Sequence, residues 1–213
     1  MAELVRMTML RLSDPRWLAA LLAGALLNPL LIRLSLPPVN PQDPASSREL
    51  EHLGIFAVTI VATVQVGGLQ DCLAWISTPH VRRARQLRAT RFALATVVGF
   101  VGLGLTALAL PDEARAADSI RLWLLIFGIA ALVGTLTRLV WGLMTPLALS
   151  IMLSYQGFIP WSMNLAHNPA VAKYAWVIGL FTLTTAWGLY SVRGSRDARR
   201  NHVERITAGL LDT

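Results

Sequence analysis

The chain has 213 residues, 54% of them hydrophobic and only 15% charged, with a mean hydropathy of +0.54. A soluble domain carries charge on roughly a quarter of its residues. Here the charges fall in a few short stretches between apolar runs of about 20 residues, the length a helix needs to cross a hydrocarbon core.

The formal net charge of +7 is thus read as membrane topology rather than as a nucleic-acid footprint. Cys72 is the single cysteine, which excludes an internal disulfide and a cysteine-based metal site. Lys173 is the only lysine among 19 basic residues, a usage that suggests a GC-rich bacterial genome and a cytoplasmic-membrane protein.

The first element is a surface helix. Residues 2–12 place Leu4, Val5, Met7, Met9, Leu10 and Leu12 among Arg6 and Arg11, the composition of a helix lying in the membrane interface. Ser13 or Asp14 can cap a new helix with Pro15 at its first position. An elbow is therefore expected at Arg11, Ser13, Asp14, Pro15 and Arg16, ahead of a first span at about 17–36. The sequence after that run, "LIRLSLPPVNP", lacks a small-residue cleavage site, so the segment is expected to be retained. Asn28–Pro29 interrupts the first span, which marks either a static kink or a point of bending.

After the proline-rich "PPVNPQDPASSRE" comes a second span at about 53–76. Its inner half is polar: Gln65, Gln70 and Asp71 follow one another close to Gly67 and Gly68. Ionisable or amide groups inside a membrane can mark an ion site. Small residues beside them favour the plainer reading of close helix packing, with Asp71 reaching water or a nearby arginine.

The loop "STPHVRRARQLRATR" is the most informative stretch. Ser77 or Thr78 can cap a helix beginning at Pro79. From there Arg82, Arg85 and Arg88 recur at every third position, and Val81, Ala84 and Leu87 share the same spacing. A short amphipathic helix running into a third span at about 92–110 follows. Pro79, His80, Arg82, Arg83, Arg85 and Arg88 form a candidate docking surface for an acidic cytoplasmic partner; the competing expectation is a basic loop resting on anionic lipid.

The apolar block from Ile120 to Phe158 is too long for one crossing. The acid-free run Arg82, Arg83, Arg85, Arg88 and Arg91 and the tail with Arg193, Arg196, Arg199, Arg200 and Arg205 should both lie on the cytoplasmic side. That parity requires two spans in the block, at about 120–137 and 140–158, with Arg138 at their inner turn. Thr145–Pro146 interrupts the second of them. "IPWSMNLAHNPAVAK" can hold a short interfacial helix with Trp161 at headgroup depth, before a last span at about 174–192 and a tail at 193–213. The expected fold is thus an all-α polytopic membrane protein, a single domain of six transmembrane helices with both termini cytoplasmic. Fourteen basic residues then face the inside and five the outside.

Catalytic patterns are missing from the sequence. The histidines, His52, His80, His167 and His202, fall in four separate segments. No zinc-protease, nucleophile-elbow or P-loop motif occurs. The chain is expected not to be an enzyme and to bind no cofactor or metal itself.

In layout the chain resembles the permease subunits of type-2 ABC exporters. "LRLSDPRWLAALLAGALLNPLL" is similar to that family's opening, and "STPHVRRARQLRATRFALATVVG" to its cytoplasmic stretch after the second span. The resemblance implies a six-span chain that pairs with a second copy or a sister permease. It implies that ATP and Mg²⁺ sit on a separate nucleotide-binding ATPase subunit docked at Pro79–Arg91, and that membrane lipids surround the rest. The largely uncharged interior would suit an amphipathic or hydrophobic cargo such as a lipid, an antibiotic or a modified peptide. The competing expectation is a non-transporting membrane protein of assembly or immunity type.

Overall fold

The computed structural model describes residues 15–31, 53–69, 81–107, 113–154, 158–166 and 168–194. Among these the chain is all-helical, with six α-helices: α1 (Pro15–Leu31), α2 (Leu53–Gly68), α3 (Val81–Ala107), α4 (Glu113–Leu136), α5 (Leu139–Ser154) and α6 (Pro169–Arg193). A single 3₁₀ turn, Trp161–Met163, lies between α5 and α6. Three helices are long and apolar enough to cross a membrane, over Arg85–Leu105, Ala117–Leu136 and Ala170–Arg193, and Ile55–Gly68 and Leu139–Ser154 are shorter apolar segments. The described helices thus have the length and apolar character expected of membrane spans.

The helix limits have local causes. The long fourth block divides at Thr137–Arg138. Thr137 ends α4 by bonding Val133 O through both its amide (2.8 Å) and its hydroxyl (2.6 Å). The exposed Arg138 starts α5, its carbonyl accepting from Trp141 and Gly142. Pro146 lies inside α5 without ending it. Proline lacks the amide that would bond one turn back, and Thr145 Oγ1 contributes a bond to Trp141 O at 2.7 Å beside it. Asn168 caps α6, accepting from Ala170 N at 2.9 Å with Pro169 in the first turn. Gly194, at φ 66, closes it with an amide bond to Tyr190 O. The basic segment and the apolar region form one helix: α3 begins at Val81, eleven residues before the expected start of the third span.

Packing places α2 and α4 at the centre. Apolar association inside a membrane depends on close backbone approach rather than on expulsion of water, and glycines provide it at two seams. A Cβ on Gly142 would stand 2.7 Å from the Cα of Gly134, so α4 and α5 touch backbone to backbone. A Cβ on Gly128 would meet Thr182 Oγ1 at 2.5 Å and Gly179 O at 2.8 Å, where α4 meets α6. On the far side of α2, Gly24 of α1 lies under Ile60 and Val61, and Leu21 and Ala25 of α1 approach Gly102 of α3. The buried core runs through Val58, Val61, Ala62, Val66, Phe92, Trp123, Ile126, Phe127, Ala130 and Tyr190.

The expected surface helix at 1–13, with Arg11, Ser13 and Asp14, lies outside the described residues, as do Gln70, Asp71, Pro79, His80 and the tail beyond 194. Pro15 and Arg16 open α1.

Candidate functional site

Several helix ends meet at one pole of the bundle. There α2 finishes, α3 begins, α4 turns into α5, and α6 ends: Val66 lies against Gly134, Leu143 against Gly67, and the side chains of Arg91 and Tyr190 reach the last turn of α2. The last carbonyls of any helix lack intrahelical partners and must be satisfied from outside. Arg91 Nε, from α3, donates to Gly68 O at 2.9 Å, and Tyr190 Oη, from α6, donates to Leu69 O at 2.7 Å. Trp187 Nε1 of α6 donates to Ala89 O of α3 at 3.1 Å. The C-terminal end of α2 is thus held by two neighbours that also hold each other.

Further into the bundle, Gln65 joins three helices. Its Nε2 donates to Ala95 O of α3 at 2.6 Å, and its Oε1 accepts from Trp123 Nε1 of α4 at 2.6 Å. The side chain is fully buried, and the room for it comes from Gly99, where a Cβ would lie 1.9 Å from Gln65 Nε2. A buried amide with both ends bonded across helices fixes their register rather than presenting a binding group to a ligand. Aromatic rings surround it: Trp123 stacks on Phe127 at 5.6 Å, and Phe92 lies 6.0 Å from Phe127 and 5.8 Å from Tyr190. Toward the other pole, Thr59 of α2 shares a hydroxyl bond with Ser150 of α5.

The arginines of α3 do not share one face. Arg85 is exposed, Arg88 is buried at 7% exposure and Arg91 at 3%. A three-residue step turns a helix by about 300°, so each arginine sits about 60° further round than the last and the series winds from solvent into the bundle. Arg82 and Arg83 lie in the first turn of the helix. Among the described residues the only acids are Glu113 and Asp118, both at the start of α4, which is the opposite pole.

That opposite pole has its own polar set. Arg121 pairs with Asp118 at 2.9 Å and donates through Nη2 to Ala166 O at 3.0 Å. Asn164 bonds Leu153 O and accepts from Ala166 N, each at 3.0 Å, which ties the 158–166 segment to the end of α5. No group of three or more metal-ligating side chains gathers among the described residues.

The structure therefore brings Gln65 into contact with Ala95 and Trp123, and separates Arg85 from Arg88. The bonds of Arg91 and Tyr190 to the end of α2 were not foreseen from sequence; the findable signal was a buried-side arginine and a tyrosine at helix ends, each able to reach a terminal carbonyl. No family model matches this chain, and no curated protein or solved structure matches it significantly.

Proposed function

We propose that this chain is the permease subunit of an ATP-driven exporter of the type-2 ABC class, with six spans, both termini cytoplasmic and an N-terminal elbow at the inner membrane surface. The observation that carries the reading is the single helix from Val81 to Ala107. Near its start it bears the exposed Arg85, and within two turns Arg91 and Ala89 are bonded to α2 and α6. A force applied to the basic end by a partner would act on three helices at once, which is what a coupling helix must do.

In this account an acidic surface of a nucleotide-binding subunit docks on the region Pro79–Arg85, and ATP and Mg²⁺ are handled on that subunit. This chain performs no catalysis; it pairs with a second copy or a sister permease to enclose a path for an amphipathic or hydrophobic cargo across the cytoplasmic membrane. The alternative, a non-transporting assembly or immunity-type membrane protein, is separated by one experiment. The full chain is purified from its native membrane in mild detergent and assayed for a bound ATPase. A P-loop ATPase that is retained by the parent, and lost on reversing Arg82 and Arg85 to Glu in correctly inserted protein, is the expected result. A chain recovered without ATPase activity would sink the transporter reading and favour the alternative.

A further inference from the structure

Among the described residues α2 and α5 are the two shortest α-helices, with 16 residues each against 24 in α4 and 25 in α6. They pack on one another and run antiparallel. Gly67 lies beside Leu143 and Thr59 beside Ser150, so eight residues down one helix match seven up the other and the two cover nearly the same layer. At the helical rise, 16 residues reach about 24 Å. A hydrocarbon core is about 30 Å thick.

The ends of α5 are set by backbone, which cannot snorkel to the interface as a long side chain can. At one end the helix starts from the break at Thr137–Arg138, where Leu136, Arg138 and Val140 are exposed. At the other, Leu153 O accepts from Asn164 Nδ2 at 3.0 Å, and by Phe158 the chain has entered a turn. Phe158, Pro160 and Met163 of that segment are exposed. Irregular backbone facing lipid finds no hydrogen-bond partners in the hydrocarbon region, so both ends belong in the polar zones. Tilting the helix only shortens its reach. Between the ends Trp141, Met144, Leu147, Ile151 and Met152 all face outward. On α6, by contrast, the apolar segment Ala170–Arg193 has 24 residues and reaches about 36 Å. We propose that the outer face of α5 is a thin flank, matched to a hydrocarbon layer about 6 Å thinner than average, and that it gathers phospholipids with shorter acyl chains. The proposal rests on the membrane reading of this chain and is independent of transport.

The test uses the purified full chain in vesicles of monounsaturated phosphatidylcholines with chains from about 14 to about 22 carbons. Two variants each add one exposed indole near the middle of a helix: Leu147→Trp on α5 and Phe181→Trp on α6, at side chains 47% and 68% exposed. Quenching by brominated lipid, in excess of that of the parent chain, reports which lipids touch each position. The indole at 147 should favour the shortest chains over the longest on the order of threefold, and the indole at 181 should not. The same chain-length dependence at both positions would overturn the proposal. So would a preference for the longest chains at 147. Loss of quenching at 147 alone would also overturn it and assign this face to a contact between copies of the chain. A chain that fails to float with the vesicles would overturn the membrane reading itself, a result distinct from incorporation without a preference.

Discussion

Helices α4 and α6 are both apolar enough to span a membrane, yet 67% of the apolar window of α4 is buried against only 28% of that of α6. Hydropathy therefore says that both can sit in lipid and nothing about which does. The difference lies in small residues and in polar atoms. On α4, Gly128 faces α6 and Gly134 faces α5, and Trp123 gives its indole proton to Gln65. On α6, Gly179 is pressed against Leu124 and Leu125, while Gly188 has open space and Val177, Leu180 and Phe181 face outward. One helix is a hub, the other a wall with one packed side.

Substitutions that treat the two helices alike should break this contrast if it is wrong. Gly128→Ala on α4 gives the largest effect: its new Cβ would meet Thr182 Oγ1 at 2.5 Å and the Gly179 carbonyl of α6, backbone that cannot move aside, at 2.8 Å, and overpacking of this kind costs about 3 kcal/mol. Gly188→Ala on the outer side of α6, where the new Cβ meets nothing within 4 Å, should instead raise stability by about 0.5–1 kcal/mol through helix propensity. Both are read as midpoints of detergent-induced unfolding.

Gln65→Ala comes next, because it leaves the Trp123 N–H unsatisfied and opens a small void. The loss should be about 2 kcal/mol, with Trp123 fluorescence shifted as its hydrogen bond disappears. Tyr190→Phe removes a single bond to the end of α2 and should cost about 1 kcal/mol. Faster amide exchange confined to the last turn of α2 would sharpen the claim that α6 holds this end. Phe181→Leu, on a side chain 68% exposed, should cost no more than about 0.3 kcal/mol.

The sequence was informative where a rule depends on neighbours in the chain. Arg138 marks the division of the fourth block because a cation must reach the interface, and the helix breaks beside it. Asn168–Pro169 and Gly194 are local caps. What could not be read was anything joining distant residues. Gln65 signalled a polar inner half of α2, but its partner Trp123 is 58 residues away and the space it occupies belongs to Gly99. The three-residue spacing of Arg82, Arg85 and Arg88 pointed to one cationic face. Helical rotation instead carries the series inward, so that Arg88 is buried and Arg91 is tied to Gly68 O.

The coupling role proposed for α3 is tested most directly by cross-linking. A chain with Cys72→Ser and Gln86→Cys carries its only thiol at an exposed position beside Arg85, with the arginines intact. In native membranes, a short bifunctional cross-linker should join position 86 to a P-loop ATPase, with a yield that changes when ATP is replaced by ADP. A correctly inserted variant that forms no ATPase adduct in either nucleotide state would contradict the account.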